Sequence, residues 1–197
     1  MNHIGRKLYH LLGGLGLLSL YFLIGKEKVF VVFAAMAAVI LVVDMLRLKV
    51  PAFNLFFYRY LGSFIRRNEE KKLTGTAPYV IGVALTLYFY RSDIAAVAVC
   101  FLAFGDVAAT SIGERYGKTK ITRDKSLEGT LAFVAAAVMG SFALALVGIS
   151  LMHGLVLAGA LTAAAVELLP LPVNDNLVIP LASGGVMELI ARATGCA

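Results

Sequence analysis

The residues able to do chemistry sit in a few short stretches. Arg6-Lys7-Leu8-Tyr9-His10 lies near the start of the chain. At about 100° per residue on a helix, Arg6 and His10 are about 40° apart, and Lys7 is about 60° from His10 on its other side, so the three form one polar face. Gly105-Asp106 leads through Thr110, Gly113 and Gly117 to Lys125-Ser126-Leu127-Glu128-Gly129-Thr130. Asp106, Thr110 and Gly113 share a helical face. Ala103, Gly105, Ala108, Ala109 and Ser111 are small enough for close helix approach. Gly113 and Gly117 open a basic loop. Ser126 stands where it caps the next helix, whose first backbone N–H groups can face an anion beside Lys125. Glu167 and Asp175 supply further carboxylates. Carboxylates can hold Mg²⁺, and Lys and Arg can hold phosphate oxygens, so this combination suits a nucleotide–metal site. Neither a Walker loop nor a dinucleotide fingerprint is present.

These residues need apolar elements to position them. Of the residues, 60% are hydrophobic, against ~45–50% in a soluble domain even with Gly counted, and they form long runs. The runs predict spans at Leu8–Ile24, Val29–Leu46, Ala77–Tyr90, Ile94–Ile112, Thr130–Gly148 and Leu151–Leu169. A last stretch, Leu177–Ala193, contains Pro180 and either spans or dips into the membrane. The expected fold is all-α: a polytopic integral membrane protein of six or seven transmembrane helices in one domain, residues 1–197. Between the second and third spans, Phe53, Phe56, Phe57, Tyr60, Leu61 and Phe64 follow helical spacing after Pro51. They predict an amphipathic helix that lies in the interface or packs on the bundle, and in either place can line an access route for a lipid.

The net charge of +6 belongs to head groups and topology rather than nucleic acid, because the basic residues flank apolar runs. With the N-terminus inside, 14 of the 18 Lys and Arg fall in inner segments, and only Lys26, Lys28, Arg91 and Arg192 do not. The first run follows Arg6-Lys7 without a cleavage site and reads as a retained span. Polar groups at membrane depth are costly, so each needs a reason. Asp106, twelve residues into its span, lies about 18 Å below the outer edge. Asp44, Glu128, Glu167 and Asp175 reach the same inner side, which suits an enzyme using a cytosolic, phosphate-bearing substrate better than a midplane transporter. Cys100 and Cys196 have neither disulfide nor metal-ligand spacing.

Taken in order, Arg6-Lys7-x-x-His10, Lys72-Leu73-Thr74-Gly75, Gly105-Asp106 with Gly113 and Gly117, Lys125-Ser126-x-Glu128-Gly129-Thr130, and Glu167-x-x-Pro170 followed by Asp175-Asn176-Leu177-x-x-Pro180 resemble the dolichol kinase, phytol kinase and CTP-dependent diacylglycerol kinase family. That family is related to phosphatidate cytidylyltransferases. The resemblance covers nearly the whole chain and implies transfer of a phosphoryl group from CTP to a membrane lipid alcohol, with a divalent cation, in a cytoplasmic membrane of prokaryotic type. It implies Asp106, Asp175 and Glu167 as metal residues, and Asp106, Lys125, His10 and Glu128 as catalytic ones. The nucleotide would meet Arg6, Lys7, Lys72, Thr74, Gly105, Gly113, Gly117, Lys125, Ser126, Gly129, Thr130 and Asn176. Two departures stand out. The family often has two acids before its C-terminal Asn, where Asn174 precedes Asp175 here. The Pro-Gly-His-Gly-Gly signature of the cytidylyltransferases is absent, which favours a kinase over CDP-lipid synthesis. A small transporter or lipid-binding membrane protein is the non-enzymatic alternative.

Overall fold

A chain crossing lipid must satisfy its backbone internally, and each long apolar run here does so as a helix. The computed structural model describes residues 4–62, 69, 72–122 and 124–195, without the side chains of Ile4 and Arg6. Phe64, Arg66, Arg67, Lys71, Arg123, Cys196 and the Arg6 side chain therefore lie outside the described residues. Helices α1 (Ile4–Ile24) and α2 (Lys26–Lys49) turn at Gly25. Its φ of +83° is open to glycine at little cost. Pro51 opens α3 (Pro51–Leu61), where its missing N–H has no helical partner to lose. After α4 (Thr76–Phe89), α5 (Ser92–Cys100) runs through a π-helical segment, Phe101–Gly105, into α6 (Asp106–Tyr116). Then come α7 (Leu127–Ala145), α8 (His153–Leu168) and α9 (Asp175–Ala193). Among the described residues there is no strand, only an isolated bridge between Lys120 and Ser126.

The all-α membrane architecture agrees with the sequence reading. Lys7–Ile24, Lys26–Lys49, Ser92–Tyr116 and Leu127–Ala145 are long and apolar enough to cross a bilayer. α4 and α8 are apolar but shorter, and α9 continues through Pro180. The α5–α6 segment is the axle of the bundle: 72% of its apolar window is buried, against 22% in α2. Opposite ends of the bundle are pinned differently. At one, Arg91 N–H and Arg192 Nε donate to the Glu188 carboxylate. At the other, His10, Asp106, Ser126 and Asp175 stand near one another, and the candidate site lies there.

Glycines from surrounding helices grip the π segment. A Cβ on Gly14 of α1 would stand 2.9 Å from the Ala103 side chain, one on Gly140 of α7 3.0 Å from the Phe104 ring, and one on Gly159 of α8 2.8 Å from the Phe101 ring. Small residues let transmembrane helices approach in this way. The extra residue of a π turn shifts the register of the helix beyond it, and here the next residue is Asp106.

The interfacial stripe divides. Phe53 and Phe57 are half-buried with Asn54 and Tyr58, and Phe57 and Tyr58 face the Arg47 guanidinium. Leu55, Phe56 and Tyr60 are turned outward, 75%, 59% and 64% exposed. One side of α3 therefore packs on the bundle while the other presents apolar surface away from it.

Candidate functional site

A cavity of about 380 Å³ opens along α6, between it and the start of α7, the end of α8 and the start of α9. Asp106, Thr110, Gly113 and Glu114 line it from α6, and Lys120, Asp124 and Lys125 from the next loop. Ser126, Gly129, Thr130, Glu167 and Asp175 complete it with Ala109. The shared face of Asp106, Thr110 and Gly113 thus becomes one wall. Opposite it, Ser126 is the N-cap of α7, its Oγ accepting from Gly129 N–H at 3.2 Å. The floor depends on glycine: a Cβ at Gly129 would stand 2.9 Å from the Ala109 carbonyl and 3.3 Å from Gly113 Cα. Two helix N-termini, those of α7 and α9, meet the cavity, and their partial positive ends favour an anion.

The charges are arranged in layers. Asp106 is 5% exposed, and the basic side chain within 4 Å of it among the described residues is the His10 imidazole, with Nδ1 at 3.9 Å. His10 is itself buried. The Tyr79 ring meets it edge-on at 4.8 Å, and the Tyr79 hydroxyl donates to the His10 carbonyl at 2.7 Å. Elsewhere on the cavity wall the Lys125 ammonium donates to the buried Glu167 carboxylate. At the rim Lys7 Nζ donates to Glu114 at 2.8 Å.

Other residues implied by the motifs stand outside the cavity. Glu128 faces away and accepts from Thr119 N–H at 3.1 and 3.2 Å, tying the 117–126 loop to α7. Gly105 packs on Phe133, whose ring would be 2.6 Å from an added Cβ, and Gly117 packs on Ser126. Asn176 donates to the Gly75 carbonyl at 3.2 Å, joining α9 to the start of α4. Lys72 and Thr74 belong to a separate network. Thr74 N–H and Oγ1–H both donate to Asp44 Oδ2, at 2.7 and 2.8 Å. Arg47, 1% exposed, donates to Asp44 at 3.3 Å and to the backbone carbonyls of Lys72 and Glu69. The sequence reading counted Arg47 as an interfacial charge and did not single out Tyr79 or Asp124. An acid beside Lys125 was a usable signal for Asp124. Arg47 and Tyr79 depend on long-range partners that spacing does not reveal.

The donor set suits a hard cation in one particular way. Among the described residues no three His, Cys, Asp or Glu side chains gather closely enough to cage a metal. Mg²⁺ rarely needs such a cage, since it commonly binds one or two carboxylates with waters and substrate phosphates. Asp106 and Asp175 face the cavity and fit that role, while Glu167 is engaged by Lys125.

Comparison with known proteins finds relatives. A CTP-dependent diacylglycerol kinase 1 of Saccharomyces cerevisiae is 28% identical over 143 residues, covering 70% of this chain and 49% of the relative. The protein of the same name from Schizosaccharomyces pombe is 29% identical over 169 residues, 75% of this chain and 74% of the relative. "Probable phytol kinase 1, chloroplastic" of Glycine max is 30% identical over 201 residues, 93% of this chain and 65% of the relative. The chain thus spans about half the length of the budding-yeast relative. No family profile matches it, and no solved structure does. The resemblance drawn from the motifs is borne out by these relatives, which carry the two kinase names.

Proposed function

We propose that this chain is a lipid alcohol kinase, a single membrane-embedded domain that transfers the γ-phosphoryl group of CTP to the hydroxyl of a polyprenol, a phytol-like prenyl alcohol or diacylglycerol. The observation that carries the reading is the cavity at one end of the bundle. There a buried, open-faced Asp106 meets Lys125 and two helix N-termini. The kinase names of the relatives support it. The excess of Lys and Arg at the same end supports a cytoplasmic N-terminus and site.

In this reading the triphosphate lies against the α7 N-terminus, held by Lys125 and Lys120, with Thr130 and Ser126 beside it. Asp106 and Asp175 would hold a divalent cation, which when bound neutralises phosphate charge as the transition state develops. The alcohol oxygen bonds to the γ-phosphorus, the bond from that phosphorus to the β–γ bridging oxygen breaks, and CDP departs with the electron pair. The hydroxyl proton passes to His10, the base nearest Asp106. Glu167 keeps Lys125 in place and Lys7 steadies the rim through Glu114. Most of the acceleration then comes from positioning and fixed charge, as phosphoryl transfer requires.

Incubating the purified protein with γ-labelled CTP and a panel of lipid alcohols tests the reading. The expected result is label in the lipid and CDP in solution. Pyrophosphate together with a cytidine-bearing lipid would replace the kinase with a cytidylyltransferase.

A further inference from the structure

A second cavity, of about 350 Å³, lies between α1, α2, α3 and the residues that lead into α4. Val39, Ile40, Val43, Phe57 and Leu61 make its walls. Val39 and Leu61 are 62% and 42% exposed, so they form a rim and the cavity opens on the apolar outside of the bundle. Its polar groups are few: Tyr9, Asp44, Thr74 and Thr76. Asp44 is consumed by Thr74 and Arg47, so it offers no open charge. The Thr76 hydroxyl is half-buried in this lining and makes none of the hydrogen bonds found among the described residues. Next to the rim, Leu55, Phe56 and Tyr60 of α3 turn apolar surface outward.

Two consecutive residues of α1 link the neighbourhoods of the two cavities. Tyr9 lines the apolar cavity. The next residue, His10, lies 3.9 Å from Asp106, which lines the polar one. We propose that the apolar cavity is the acceptor site, holding the head of the lipid alcohol at Thr76 with its tail leaving between α2 and α3 toward the bilayer. This rests on the kinase reading for the fate of the hydroxyl, but the binding itself does not depend on CTP. The chemistry selects a molecule with one hydrogen-bonding end and an extended apolar body. A charged phospholipid head would find no unpaired cation among the described lining residues.

The test uses the wild-type chain in phosphatidylcholine nanodiscs and a long-chain alcohol carrying a diazirine in its tail. The expected result is crosslinking confined to α2 around Val39–Val43 and α3 around Phe57–Leu61. Excess unlabelled alcohol should compete, while the alkane of the same length, which has no hydrogen-bonding end, should compete at least several-fold less well. Crosslinks spread over the outer faces of α7 and α8, or equal competition by the alkane, would overturn the proposal. In a turnover assay Thr76→Val should raise the KM for the alcohol by roughly 2- to 12-fold, the value of one hydrogen bond, with the KM for CTP unchanged. An unchanged alcohol KM would also count against it. If crosslinking succeeds where no label passes from CTP, the acceptor site stands and the donor assignment falls.

Discussion

Asp44 and Asp106 are two buried aspartates at the same end of the bundle, and their surroundings differ in kind. Asp44, 2% exposed, accepts two hydrogen bonds from Thr74 and one from the buried Arg47. Asp106, 5% exposed, receives no hydrogen bond within 3.5 Å among the described residues and looks into a cavity. Burying an ionised carboxylate is costly unless charge and donors compensate it. Asp44 has its compensation built in and fixes a loop. Asp106 has His10 at 3.9 Å as its basic neighbour, and in the proposed function the remaining compensation comes from what enters the cavity. Depth in the membrane is therefore a poor guide to function, and the supply of local donors is a better one.

The two aspartates should differ most when Asp106 loses its charge. Asp106→Asn keeps the size and relieves the cost of burial, so the protein should purify folded. Turnover should fall by about 10²–10³, the scale of losing one key electrostatic group. A folded variant with near wild-type turnover would make Asp106 another Asp44. The reciprocal change, Asp44→Ala, strands Arg47 as a buried charge. It should cost about 3–5 kcal/mol, as removal of one partner of a buried pair does. A lowered melting temperature in detergent, with the KM for CTP unchanged in the surviving folded fraction, is the expected pattern.

Smaller effects sharpen the boundary between packing and chemistry. Gly105→Ala drives a Cβ to within 2.6 Å of the Phe133 ring. Overpacking of this sort costs about 1–3 kcal/mol, and thermal unfolding should show it without any change in nucleotide affinity. A selective loss of CTP binding would return Gly105 to the nucleotide. Ser126→Ala removes the α7 cap and should lower stability by about 1 kcal/mol, read from the shift in melting temperature.

Much of this was legible in the chain itself. Apolar runs located the helices because bilayer crossing imposes length and hydropathy together: α1 ends at Ile24 as expected, and α2, α4 and α8 lie within a few residues of their expected bounds. The face carrying Asp106, Thr110 and Gly113 followed from helical spacing, and all three line the cavity. The π segment did not follow, because nothing in the spacing of the run marks it and the glycines that pack on it stand on three other helices. The split between Asp44 and Asp106 was equally hidden. One-dimensional depth puts both at the inner end, and only the fold brings Thr74 and Arg47 to the first. Motif spacing also joined Glu128, Gly105 and Gly117 to the site, whereas their side chains or neighbours serve the loop and the helix packing around it.

In the proposed function the α6–α7 cavity receives the phosphates of CTP. Thiol protection tests it most directly. Thr130→Cys places a single reporter on the cavity wall in a background lacking Cys100 and Cys196. CTP with a divalent cation should slow its modification by an aqueous thiol reagent at least several-fold, and the lipid alcohol alone should not. Modification at the same rate with and without CTP, in protein that still transfers label to lipid, would place the nucleotide elsewhere and contradict the account.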